Sequence, residues 1–221
     1  MAISVAVAVL VATGIGALGG GLYLYGKAQA GQWLMHRAWV RTQTNGMPAS
    51  PWPWADTQPV ARLYAPAQHV DLLVLAGASG RTLAWGPAHL DHSAAIGTTG
   101  NVVLSAHRDT HFRFLARVTI GDPIIVERAD GARTHYRVRA IAIVEAGRIA
   151  LPRDTELPTL TLVTCYPFDA IVPGGPLRYV VTAETEVESS PVPAAGPVRP
   201  TGIGGSASLF RASAAAELRL S

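Results

Sequence analysis

Apolar and polar positions divide the chain into four stretches. From Met1 to Gly26 no side chain is charged, and the run is built of Ala, Val, Ile, Leu, Gly and Tyr. About 20 apolar residues cross a bilayer core as a helix, so residues 1–27 are expected to form a transmembrane anchor. Gly14, Gly16, Gly19, Gly20 and Gly21 weaken a helix in water but are common in membrane helices, and Tyr23 and Tyr25 suit an interfacial aromatic belt. Residues 28–59 read as a juxtamembrane helix followed by a tether. Ala28 to Val40 lacks proline, whereas Thr44 to Pro59 holds Pro48, Pro51, Pro53 and Pro59, which favour extended chain. Trp52 and Trp54 in that tether are expected to pack on the domain that follows.

Residues 60–188 alternate short β-branched, apolar runs with turn residues. The pattern predicts strands over Val60–Tyr64, Val70–Leu75, Asn101–Ala106, Pro123–Arg128, Thr134–Val144, Thr159–Cys165 and Arg178–Thr185. Asp130-Gly131 between two alternating runs is a hairpin signal. His89–Ile96 and His111–Leu115 read as helical turns. The fold class is therefore all-β, a barrel or a sandwich. Residues 189–221, rich in Ser, Pro, Ala and Gly, read as a disordered tail.

Charge refines the membrane reading. Ala28-Gln29-Ala30 is similar to a signal-peptide cleavage site. However, the apolar run is longer than an h-region, no basic segment precedes it, and Lys27 falls where a cleavage region is uncharged. An uncleaved anchor is the better reading. Lys27, Arg37 and Arg41 follow the anchor, a weak positive-inside bias that would keep the downstream chain in the cytoplasm. The net charge of +3, from 18 basic and 15 acidic residues, is too small and dispersed for a nucleic-acid partner.

Candidate chemistry centres on Cys165, the single cysteine. It cannot form an internal disulfide, so it is a buried small side chain, an intermolecular bridge or a reactive thiol. Its place at a strand end, stopped by Pro167, favours a reactive thiol. A thiol nucleophile needs an acid/base and a positive charge or N–H donors for the oxyanion. Among seven histidines, His107 alone directly follows an apolar strand, Asn101 to Ala106. Arg178 opens the strand that returns after Gly174-Gly175-Pro176, and a hairpin-like return brings it toward Cys165. Arg108 is a second candidate for that charge. Asp109 either orients His107 or caps the turn into Thr110–Leu115, and capping is the simpler role.

Other chemistries fit poorly. His107-Arg108-Asp109 is similar to a kinase catalytic loop, but no Gly-rich loop or D-F-G accompanies it. No G-x-S-x-G occurs for a serine hydrolase. His89-x-x-His92 and His107-x-x-x-His111 lack the H-E-x-x-H pattern or further cysteines that zinc sites use.

Three separated motifs resemble one family. Thr161-Leu162-Val163-Thr164-Cys165 resembles the T-L-x-T-C signature of sortases, the bacterial cysteine transpeptidases. Ser105 to Thr110 resembles their histidine segment, with Ala106 where many relatives have glycine. Arg178 stands where their arginine does. Pro51 to Thr57 and Cys165 to Asp169 look more like the sortases of Gram-negative bacteria. The resemblance covers roughly residues 30–188.

That resemblance implies a closed eight-stranded β-barrel behind the transmembrane helix. It implies a membrane-anchored enzyme that cleaves an LPxTG-like C-terminal sorting signal through a thioester and passes the protein to an envelope amine. Cys165 would be the nucleophile, His107 the general acid/base and Arg178 the group that holds substrate and oxyanion. No organic cofactor or metal is implied. The partners are an exported protein bearing the signal, an amine acceptor and the lipid bilayer. The catalytic domain would lie outside the cytoplasmic (inner) membrane, against the weak charge bias. Two rivals remain: a non-catalytic peptide-binding barrel at the envelope, and a thiol hydrolase of the same signal.

Overall fold

The computed structural model describes residues 2–149, 151–172 and 174–185, so the expected disordered tail lies outside the described residues. The apolar run and the juxtamembrane segment form one continuous helix, α1 (Ala2–Asn45), which runs past Val40 into the expected tether. Its two parts differ. From Ile3 to Ala30 the described side chains are exposed, while Gly31, Met35, Ala38, Trp39 and Thr42 are buried. That i, i+4, i+7, i+8, i+11 spacing is the stripe a helix lays on a core. The stripe meets Leu73 and Leu75, with Trp52 and Trp85 at its border. Trp52 thus packs as expected, its ring centroid 5.3 Å from that of Trp85. Trp54 does not, being 81% exposed.

Eight strands follow: β1 (Pro59–Ala65), β2 (Val70–Ala76), β3 (Ala88–His89), β4 (Asn101–Ser105), β5 (Pro123–Arg128), β6 (Arg133–Glu145), β7 (Thr159–Tyr166) and β8 (Leu177–Thr185). They close into a barrel in the order β1-β2-β3-β4-β7-β8-β6-β5. The expected Asp130-Gly131 hairpin joins β5 to β6. Most pairings are antiparallel, but β2 with β3 and β4 with β7 are parallel. The one strand the sequence pattern did not predict is β3. It has two residues, too few to show a period, and its His89 opens the segment expected to be a helical turn. The turn that follows is held instead by the His89 ring, whose Nε2 lies 2.9 Å from the Ala94 carbonyl and 3.0 Å from Ser93 Oγ.

The barrel interior is filled by one face of each strand. Leu63, Val74, Val102, Leu104, Ile124, Val126, Val138, Leu160, Leu162 and Val181 belong to one buried cluster. Phe112, Phe114 and Leu115 join it from the segment after β4, whose short 3-10 turn runs Arg113–Arg117. A strand alternates its side chains between faces, so naming the inward set names the outward one.

Candidate active site

On β7 the inward positions are Leu160, Leu162 and Thr164, which leaves Thr161, Val163 and Cys165 outward. On β8, Val181 and Ala183 point in, so Arg178, Val180 and Thr182 point out. Cys165 and Arg178 are direct cross-strand partners, and such partners have Cβ atoms about 5 Å apart. On the other side of β7, Ser105 of β4 pairs with Val163. The alignment continues beyond the strand: the Ala106 N–H donates to the Val163 carbonyl (3.3 Å), and Thr164 Oγ1 donates to the Ala106 carbonyl (2.7 Å). Ala106 joins the inner cluster. His107, the next residue, is exposed on the flank of Cys165. Two neighbouring strands and one parity therefore bring together all three residues singled out in the sequence.

Thiol, imidazole and guanidinium on one wall are the groups that acyl transfer to sulfur uses. Cys165 is half-buried and free. The Arg178 guanidinium is engaged by its own loop, with Nη1 donating to the carbonyls of Gly175 (2.7 Å) and Leu177 (2.9 Å). Arg108, the alternative charge, is 7% exposed, and its Nη2 donates to the carbonyls of Ala170 (2.8 Å) and Val172 (3.1 Å). Arg108 thus ties down the loop that links the Cys165 strand to the Arg178 strand. Its Nη1 is buried without a hydrogen-bond partner. Nothing in the sequence marked this clamp, because its partners are carbonyls 62 and 64 residues away.

Aromatic rings support the same loop. Tyr166 stacks on Tyr179 at 6.0 Å, and Phe168 meets Tyr179 edge-on at 5.1 Å. Burial raises the Tyr179 phenol above its ordinary pKa, so it stays neutral at pH 7. The turn after His107 closes through backbone bonds from the Phe112 N–H to the His107 carbonyl (3.0 Å) and from the Arg113 N–H to the Thr110 carbonyl (3.2 Å). Among the described residues Asp109 makes no side-chain hydrogen bond to support either role expected of it. His111 is held below its ordinary pKa by burial and then by the nearby His107, with Asp109 opposing. Among the described residues no group of three or more His, Cys, Asp and Glu side chains gathers as a metal site would need.

A groove of about 820 Å³ extends along the same outward face. Thr159 and Thr161 of β7, Val180 and Thr182 of β8, and Ile149 and Leu151 of the β6–β7 connection are among its walls. Ile149 and Leu151 also pack on a small apolar cluster of Val103, Val163 and Val180, of which Val180 lines the groove. Thr161 Oγ1 donates to Asn101 Oδ1 at 2.8 Å in a buried bond that ties β7 to β4 beneath the groove.

Comparison with known proteins agrees with this fold. The family model described as "Sortase domain" matches residues 63–186, more than half of the chain. Sortase D of Bacillus subtilis (strain 168) is 29% identical over 119 residues, which cover 54% of this chain and 60% of that protein. The structure of sortase A from Corynebacterium diphtheriae superposes with a TM-score of 0.54 at 28% identity, over 62% of this chain and 65% of that one. The chain thus spans less than two thirds of either relative. A Clostridium perfringens sortase D5 transpeptidase shares the fold, with a TM-score of 0.58 at 18% identity over 72% of this chain and 99% of that one. The chain belongs to the sortase family.

Proposed function

We propose that this protein is a membrane-anchored cysteine transpeptidase. A peptide bearing an LPxTG-like signal lies along the groove beside β7 and delivers its scissile carbonyl to Cys165. The thiolate attacks that carbonyl, and the Arg178 guanidinium stabilises the oxyanion. His107 protonates the departing amine, leaving a thioester on Cys165. An amine from the cell envelope then enters, loses its proton to His107 and displaces the sulfur, so one amide replaces another. The observation that carries this reading is the shared outward face of Cys165 and Arg178 in direct register, with His107 on the adjoining strand end. In one step Arg178 must turn from the carbonyls of Gly175 and Leu177 toward the substrate.

The apolar part of α1, with a mean hydropathy of 2.1, is long and apolar enough to cross a membrane. We read it as a single-pass anchor in the cytoplasmic membrane with the barrel on the outer side, where an exported substrate would be met. The likeness of Pro51 to Thr57 to Gram-negative sortases belongs to the same proposal.

The test is mass analysis of the intact chain with a signal peptide, with and without an added amine. An acyl adduct on Cys165 that moves to the amine supports transpeptidation. Release to water despite excess amine would make the protein a thiol hydrolase. Binding with no adduct would make it a peptide-binding barrel.

A further inference from the structure

The direction of α1 shows which way the catalytic end of the barrel faces. Strand pairing puts the ends of β4 and β7 and the starts of β2 and β8 at one pole, so Asp71, His107, Cys165 and Arg178 lie there. The β5–β6 hairpin with Asp130 and the first residues of β1 make the opposite pole. α1 crosses the wall from one pole to the other. Gln32, Met35 and His36 share a hollow with Asp71, Leu72 and His111. Gln43, Thr44 and Asn45 share another with Val60, Arg128 and Asp130. Followed toward its N-terminus, the helix leaves the barrel at the catalytic pole.

The docked part is tightly seated. A Cβ on Gly31 would collide with the Trp85 ring, so any larger residue would force that ring to move. Gln32 Nε2 donates to the Trp85 carbonyl at 3.0 Å, and Met35 and Trp39 are 1% and 2% exposed. The uncharged run begins at Gly26, beyond Lys27 and within the same helix.

We propose that the catalytic pole faces the bilayer, held at a set height by α1, so that Cys165 acts on peptide bonds close to the lipid headgroups. The inference rests on reading residues 3–26 as a membrane span. Ten residues separate Gly26 from His36, a rise of about 15 Å. The opposite pole, at Asn45, lies about 15 Å farther along the helix. The surface of the catalytic pole suits an interface. Ile171 and Val172 in the β7–β8 loop are 98% and 75% exposed, and Ile120 in the turn before β5 is 69% exposed. Apolar side chains so placed are compatible with a headgroup layer and unfavourable in bulk water.

The experiment uses the full chain with Cys165→Ala, one new cysteine at Ile171→Cys or Asp130→Cys, and a fluorescent donor on it. The protein is reconstituted in phosphatidylcholine–phosphatidylglycerol vesicles carrying a headgroup acceptor. The Ile171 probe is expected about 15 Å nearer the headgroups than the Asp130 probe. Seven residues inserted after Lys27 keep the docked face and should move both probes outward by about 10 Å. With Cys165 restored, that insertion should slow turnover of a bilayer-anchored signal peptide by about tenfold, because the shared surface sets the effective concentration. Turnover of the same peptide in solution should not change. Equal probe distances, or a nearer Asp130, overturn the proposal. A chain that does not embed in vesicles overturns the membrane-anchor reading and this proposal with it. A chain that embeds but turns over neither peptide overturns the transpeptidase reading, and the probe distances still decide the orientation.

Discussion

The two faces of β7 do different work. Leu160 and Leu162, inward, are 0% exposed and belong to the main core. Thr161, Val163 and Cys165, outward, are progressively less covered along the strand, and the proposed nucleophile sits where the cover ends. The strand is thus buried on both sides for most of its length, by the barrel inside and by the β6–β7 connection outside. Only its last outward position, Cys165, is left partly accessible. The inner face belongs to the core and the end of the outer face carries the proposed chemistry, although the residues alternate.

That separation can be broken most severely at Cys165. Cys165→Ala should remove acyl-enzyme formation, a loss of about 10⁴-fold or more in turnover. The unfolding midpoint should move little, since the site lies off the core. Retained turnover in a peptide assay would defeat the nucleophile assignment. His107→Ala and Arg178→Ala should each lower kcat/KM by about 10²–10³-fold. Arg178→Lys should recover only part, because lysine offers no planar fork. Wild-type kinetics from Arg178→Ala would move the oxyanion role elsewhere.

The inner face should give the opposite signature. Leu162→Ala is expected to cost about 2–5 kcal/mol in urea unfolding, while the folded fraction keeps near-normal turnover. Arg108→Met tests the loop clamp between the two faces. It should lower turnover by about tenfold through a misplaced β7–β8 loop, seen as faster amide exchange at Ala170 to Val172 and a changed kcat. An unchanged loop would reduce Arg108 to packing.

The smallest effect concerns pH. His111 is neutral in the fold, with its pKa lowered by burial and by His107 from the ordinary value of 6.5. The unfolded chain therefore binds more protons below that value, and stability falls as the pH drops from 6.5 through the folded pKa. His111→Gln should flatten this slope in thermal unfolding between pH 7 and 5. An unchanged slope would assign the acid sensitivity to other groups.

Much of the candidate site was legible in the sequence because its parts sit at strand ends. Ala106 then His107 changes from apolar strand to polar end within one residue, and Cys165 ends its strand shortly before Pro167. The Thr161–Cys165, Ser105–Thr110 and Arg178 motifs, taken in order, pointed to the family before any geometry was known. Other parts had no local signature. β3 is two residues long, and a period needs more. The Arg108 clamp joins a side chain to distant carbonyls, which carry no sequence identity. The dock of α1 was hidden because Gly31, Met35, Ala38 and Trp39 form a stripe whose partner, Leu73 and Leu75, belongs to a strand far along the chain.

By itself the sequence determined the all-β class, the apolar run able to span a membrane and the three residues with chemistry to offer. The class and the apolar run follow from composition and a period of 2, which are local properties of the chain, and the three residues from their places at strand ends and from motifs that resemble those of sortases. Only the tertiary structure decided that β4 lies beside β7, that the odd-numbered face of β7 points outward, and that α1 leaves the barrel at the Cys165 end. Periodicity says which residues share a face. Closing the barrel buries one face of every strand at once, and that collective choice turned the Cys165 face out beside Arg178.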